Sequence, residues 1–548
     1  MNEPNRESTP IESAPLLQRL FSRRQWPKYL FAFAGLATLA VLLLTLENRR
    51  GVQTQPNVAG AGLAEAERAA AEKLIPPPVP DEQNFAATPF FQSLFDKSIS
   101  PGASQWPDDF SRADQWPRRI STLAESAEGR KTGRFVWDLL AWKIAFEKSQ
   151  DALRPSDTPD EIAVTDQPDP ATNAQAAVFV LEALKPYDPA LAELQAASRR
   201  PYARFNVNYT LENPWGILLP QLAVVKRTVQ LLRLKATAEL AAGHSEQALQ
   251  DILLMLRLVN ASKDEPTLIS QLVRVAALEI TFQPIWEGLA GRRWSDQQLQ
   301  ALQAGLGQFD FIIDLKLALE SEKVWGSVTI GLVRDKRTPG YLLSLLESEG
   351  KAQPWQKEAD RVLVKAPRDW FDQEQRNYNQ LFDERLLSGF DIATRRVSPR
   401  VVDENVHLLE KALRNRDTAV KEHLVFATAF LGALSRVHLK LAGTQGYADL
   451  ATVACALERH RLAAGQYPET LAVLTPRFLK QVPHDIVTGQ PLHYQRTDDG
   501  LFLLYSVGWN ETDDNGELAF LASGRGPEKK DGDWVWRYPT ARTNVSFE

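Results

Sequence analysis

From Tyr29 to Leu46 the chain reads YLFAFAGLATLAVLLLTL, a run without one charged residue. As a helix rising about 1.5 Å per residue it would span roughly 27 Å, enough to cross the hydrocarbon core of a bilayer. Trp26 and Tyr29 stand at its start, where amphipathic rings favour the headgroup level. Arg19, Arg23, Arg24 and Lys28 precede it and only Arg49 and Arg50 follow closely, so the positive-inside bias puts residues 1–28 in the cytoplasm and a transmembrane helix at 29–46. A cleaved signal peptide has the same order of basic and apolar regions. However, Glu47, Asn48, Arg49 and Arg50 fill the place of a small-residue cleavage site, and Val58-Ala59-Gly60 lies too far downstream. The run therefore reads as a retained signal anchor, with the rest of the chain outside the cytoplasm. No other stretch has the required length; His423 to Ser435 (HLVFATAFLGALS) reads as a buried helix.

The whole chain has 548 residues, 44% of them hydrophobic, which is ample for folded cores and too apolar for disorder throughout. Its one cysteine excludes an internal disulfide framework and a four-cysteine zinc site. With 63 basic and 69 acidic residues the net charge is −6, which gives no electrostatic reason to expect a nucleic-acid partner. Much of the acidic excess sits in two places, Asp157 to Asp169 and Asp498 to Asp514.

Residues 47–84 read as a stalk: a Gln/Gly/Ala-rich stretch, an alanine-rich helix from Leu63 to Leu74, and then Ile75-Pro76-Pro77-Pro78-Val79-Pro80, an extended spacer. Residues 85–445 read as a helical region interrupted by an acidic, proline-containing loop at 154–173. Its clearest signal is a helical hairpin. Leu231, Leu234 and Ala238, then Ala248, Leu249, Ile252, Leu253 and Leu256, repeat at helical spacing on either side of Gly243, like one tetratricopeptide-type unit. A second pair is expected at Leu268–Leu289 and Ser295–Phe309, with Ser295 and Gln298 as a capping box. No fixed period runs through three units, so irregular stacked α-hairpins are expected rather than a solenoid.

After Gly443-Thr444-Gln445-Gly446 the character changes, and residues 446–548 read as a small α+β module. A helix carrying Leu450, Val453, Ala454 and Leu457 ends at Gly465, and a short helix holds Leu471 and Leu474. Two alternating runs, Leu492–Arg496 and Leu501–Tyr505, flank Asp498-Asp499-Gly500 as an antiparallel hairpin. Within Leu457 to Gly508 the motifs Gly465-Gln466-Tyr467-Pro468, Val482-Pro483-His484-Asp485, Gly489-Gln490-Pro491-Leu492-His493-Tyr494 and Tyr505-Ser506-Val507-Gly508 occur in order. This segment resembles the globular part of type II secretion pseudopilins of the major type. It covers only about a tenth of the chain. In those proteins the membrane helix continues directly into the globular-domain helix, whereas here the two lie some four hundred residues apart, so pilin-like processing and assembly are not implied. The whole chain also resembles a group of single-pass bacterial envelope proteins of no assigned activity, through Glu265–Arg274, Gln283–Leu289 and Gly532–Trp536. That resemblance implies a place in the bacterial inner membrane with most of the chain periplasmic.

Candidate chemistry is sparse. Pseudopilins of this type bind calcium in the loop that corresponds to Asn510-Glu511-Thr512-Asp513-Asp514-Asn515-Gly516, and Asp513, Asp514, Asn510 and Glu511 could supply its oxygen ligands. The competing reading is an Asx-rich turn. Trp534, Trp536 and Tyr538 alternate, so on a strand they would share one face, either to bind a glycan or partner or to close a core. The seven histidines form no ligand pair of the H-E-x-x-H kind, though His484 and His493 could meet Asp485. Cys455 reads as a small buried residue, and Arg274 and Glu279 as a polar face or structural ion pair. No nucleophile elbow or phosphate-binding glycine loop is present, and no catalytic residue can be named. The expected function is a membrane-anchored scaffold that binds other envelope proteins. The alternative is an envelope hydrolase or glycan-acting enzyme using carboxylates such as Asp372 and Glu374, or Asp383 and Glu384.

Overall fold

The computed structural model describes residues 65–95, 127–151, 168–209, 214–345, 353–415, 418–434, 437–523 and 526–539. The expected membrane helix at 29–46, its cytoplasmic flank and most of the acidic loop at 154–173 lie outside these residues.

The described chain is mainly helical, with a small antiparallel sheet near its C-terminus. The helices are α1 (Glu65–Glu72), α2 (Ala127–Thr132), α3 (Leu139–Asp151), α4 (Pro170–Leu184), α5 (Asp188–Ala197), α6 (Pro220–Ala241), α7 (Ser245–Asn260), α8 (Leu268–Ala290), α9 (Asp296–Leu306), α10 (Phe311–Lys336), α11 (Pro354–Lys365), α12 (Arg368–Leu381), α13 (Pro399–Ala412), α14 (Val425–Phe430) and α15 (Val437–Ala464), beside shorter turns. Local chemistry explains several ends. Asp169 caps α4 with Pro170 at its first position, so this helix starts inside the stretch expected to be loop. Ser295 and Gln298 form the expected capping box of α9. Gly243, at φ 85°, makes the turn between α6 and α7, where a left-handed residue must sit.

α15 is a central helix, buried all round from Leu441 to Ala451, the polar Thr444, Gln445 and Asp449 included. It packs on α8, α9 and α10 on one side and on the sheet on the other. It begins at Val437, ahead of the Gly443–Gly446 stretch where the sequence changes character, and that stretch is helical. Gly446 is needed there, because a Cβ would lie 2.5 Å from Trp534 Cε3. One hydrophobic core runs from Phe85 to Tyr538, so residues on both sides of position 445 share it.

The sheet has the order β3 (His493–Arg496), β4 (Phe502–Ser506), β7 (Trp534–Arg537), all antiparallel, with Tyr494 opposite Leu504 and Leu504 opposite Trp536. Two further pairs are β1 (Phe390–Asp391) with β2 (Arg396–Val397) and β5 (Leu518–Phe520) with β6 (Pro527–Gly532).

Two expectations are corrected here. α8 is long and apolar enough to cross a membrane by length and composition, although no second such stretch was expected. It is a core helix, with Leu278, Phe282, Ile285 and Trp286 at most 1% exposed. The stalk reading also changes over its described part. Ala71 and Leu74 at the end of α1 pack on Trp325, Val328 and Leu332 of α10, so residues 65–84 lie on the body rather than standing away from it.

Candidate functional site

The acidic loop follows β4, whose last residues present Tyr505 opposite His493. The two rings stack with centroids 4.7 Å apart. Tyr505 Oη donates to Asp513 Oδ1 at 2.9 Å, and His493 Nδ1 lies 3.5 Å from Asp513 Oδ2. Asp513 Oδ1 also accepts from the Asn515 N–H (2.9 Å), and Asn510 Oδ1 accepts from the Thr512 N–H (3.1 Å), two turns of the Asx kind. Asn510 Nδ2 donates to Asp514 Oδ2 at 2.8 Å. Glu511 occupies a left-handed position at φ 58° and stays exposed. Beneath the loop the buried Asp533 accepts from the N–H groups of Gly516 (2.6 Å) and Asp514 (3.3 Å). Burial, only partly offset by these donors, pushes its carboxyl up to about 6.

Asp513, Asp514 and Asn510 are thus brought together, with Asp513 bonded to Tyr505 and beside His493, and Asp514 bonded to Asn510. Among the described residues no three His, Cys, Asp or Glu side chains are grouped to hold a metal ion. The loop is an Asx-rich turn closed by its own hydrogen bonds.

The aromatic stripe is corrected more sharply. Trp534, Trp536 and Tyr538 are 0%, 1% and 4% exposed, so these rings are core and cannot meet a ligand at the surface. The indole N–H of Trp534 donates to the Lys529 carbonyl, and that of Trp536 to Tyr538 Oη. Phe282 and Trp286 of α8 lie edge-on or tilted against Trp536 and Tyr538 at 6.4 Å. The stripe therefore joins the sheet to α8.

Other candidates also take structural parts. Neither His484 nor His493 meets Asp485. Asp485 instead accepts from the N–H groups of Val487, Thr488 and Val507, and His484 lies 3.3 Å from the Arg395 carbonyl. Buried Arg274 pairs with Asp314 at 2.8 Å and donates to the Val259 carbonyl and Asn260. Glu279 pairs with Lys529 and accepts from Thr444 at 2.7 Å; burial pushes its carboxyl up, but these partners hold it below the ordinary value. Of the carboxylate pairs, Asp383 binds Lys323 at 2.6 Å, Glu384 accepts from Gln380, and Asp372 lies 3.9 Å from Arg334. Glu374 is fully buried and accepts from the Val425 and Phe426 N–H groups at the start of α14. Each of these carboxylates has a partner in the chain.

Sequence reasoning missed a concave surface. A groove of about 750 Å³ is bounded by the Lys73–Pro80 segment on one wall and by Tyr202–Arg204, Asp264, Pro266, Leu317 and Ser321 on the others. That volume falls within the range of ligand pockets. Both ends of the proline wall are fixed. At one end α1 packs on α10, as described above. At the other, Asn84 bonds the backbone N–H and carbonyl of Arg204, and the Phe85 and Tyr202 N–H groups donate to the Tyr202 and Gln83 carbonyls. Between these anchors, Arg204 Nε donates to the Pro76 carbonyl at 2.9 Å. The proline run signals an extended segment in sequence, but nothing local says what it lies against.

Comparison of the chain with protein-family models, with curated proteins and with solved structures returns no match.

Proposed function

We propose that this chain is a single-pass, signal-anchored protein of the bacterial envelope whose extracytoplasmic body binds other proteins through the groove beside Pro76–Pro80. The groove carries the reading. It is apolar over most of its lining, is open to solvent, and exposes Leu317 (51%) and Tyr202 (54%). Apolar side chains left uncovered together in a concave site mark a binding surface. The uncharged run at 29–46 and the basic residues ahead of it support the anchor and its orientation. Helical hairpins of the tetratricopeptide-like kind and the pseudopilin-like ending, both familiar as docking modules, support a place in a secretion-type assembly of the inner membrane.

The test is site-specific photo-crosslinking in intact cells. A photoreactive residue at Leu317 is expected to trap a discrete partner, while one at Val178 of α4, 65% exposed and outside the groove lining, traps none. Equal crosslinking at both positions, or none at Leu317 in abundant folded protein, refutes the groove as the binding surface. Protease added to spheroplasts should digest the body and spare residues 1–28; the reverse pattern refutes the orientation.

A further inference from the structure

We infer that the groove takes an extended segment of polypeptide in which acidic residues alternate with apolar ones, an inference that rests on the groove being the protein-binding surface. The wall itself restricts the occupant. Four of the five residues from Pro76 to Pro80 are prolines, so the wall offers carbonyl acceptors and almost no N–H donors. The Pro76 carbonyl is engaged by Arg204 and that of Pro80 by the Gln83 N–H, whereas among the described residues the carbonyls of Pro77, Pro78 and Val79 receive no hydrogen bond. An occupant must therefore bring donors spaced along a line. An α-helix has spent its N–H groups internally and an acyl chain has none, but an extended peptide has one at each residue. At about 3.1 Å per residue the five-residue wall spans roughly 15 Å, the length of four to five extended residues.

The charges choose among peptides. Lys73 and Arg204 line the groove, and among the described residues neither pairs with a carboxylate and the terminal guanidinium nitrogens of Arg204 receive no partner once Nε binds Pro76. Asp264 is the one carboxylate of the lining. Two cations against one anion favour acidic side chains in the occupant. The apolar floor of Leu74, Ile75, Ala203, Pro266 and Leu317 takes the alternate side chains that a strand-like peptide turns to one face. Because both ends of the wall are anchored, little ordering accompanies binding.

The experiment uses the full chain in detergent micelles and fluorescence anisotropy with three labelled, end-blocked decapeptides: alternating Val-Asp, Val-Ser and Val-Lys. The Val-Asp peptide is expected to bind saturably, roughly tenfold more tightly than Val-Ser, with Val-Lys weakest. Leu317→Trp, which fills the groove from an exposed position, and Lys73→Glu, at a side chain without hydrogen bonds among the described residues, are each expected to weaken Val-Asp binding roughly tenfold or more. Melting curves of both variants establish that they fold. Failure of Val-Asp to bind, binding no better than Val-Lys, or indifference to either variant overturns the inference. If Leu317 still crosslinks a partner in cells while Val-Asp does not bind, the peptide chemistry alone is wrong. If both fail, the groove reading falls with it.

Discussion

Glu374 offers the most direct test of how this body is held together. It lies on the buried stripe of α12 with Phe371 and Tyr378, fully enclosed, and its two oxygens take the Val425 and Phe426 N–H groups at 3.1 and 3.3 Å. Leu424, which precedes α14, has no side-chain acceptor to do this, so a carboxyl fifty residues away caps the helix. Burial pushes that carboxyl up to about 8, against the two N–H groups that favour its charged form. Its folded value is raised above the ordinary 4.5, so between these two pH values the folded chain keeps a proton that the unfolded chain has lost. Stability must then fall as pH rises, at about 1.4 kcal/mol per unit, or roughly 3 kcal/mol from pH 5.5 to 7.5 for this group alone. Glu374→Gln cannot ionise. Its amide oxygen keeps one of the two N–H bonds and its amide nitrogen faces the other, so it should be less stable than wild type at pH 5.5 by about 1–3 kcal/mol. The deficit should shrink or reverse by pH 7.5. Urea unfolding followed by tryptophan fluorescence reads this, since Trp370 neighbours the site. His423, 5.1 Å from Trp370, is present in both proteins, so its effect largely cancels in the difference. Parallel pH profiles for wild type and Glu374→Gln would refute the claim that Glu374 is protonated in the folded state.

Arg274→Met should cost about 3–5 kcal/mol by leaving the buried Asp314 carboxylate without its cation, and Asp314→Leu in the same chain should recover part of it; urea midpoints of the single and double variants check this. Burial pushes the Cys455 thiol up to about 12, so iodoacetamide at pH 8 should leave it unmodified in the native chain and modify it in denaturant, as mass spectrometry would show. A chelator should leave the melting temperature unchanged, because the oxygens of Asp513 and Asp514 already have partners in the chain; a clear fall on chelation, restored by calcium, would show that the loop rearranges around an ion.

Sequence by itself determined those features whose causes lie within a few residues of one another. The α6–α7 hairpin around Gly243, the capping box of α9, the end of α15 at Gly465 and the β3–β4 hairpin around Asp498-Asp499-Gly500 all follow from periodicity, capping and turn chemistry. What each face would meet was not legible in the same way. The alternation of Trp534, Trp536 and Tyr538 suits a binding stripe and a core stripe equally, and the elements that cover the rings, α8 and α15 among them, come from distant sequence. That Asp513 is held by Tyr505 and Asp514 by Asn510 is likewise visible only in the fold. Spacing alone gives Glu374 no role, and only the fold sets it against the start of α14. The groove is the furthest from local: its walls come from residues 73–83, 202–204, 264–266 and 317–321, brought together only by tertiary packing. Short-range hydrogen bonding and side-chain periodicity set the elements. Which elements face each other depends on how the apolar surface of the whole chain is buried, and that was decided only by the tertiary structure.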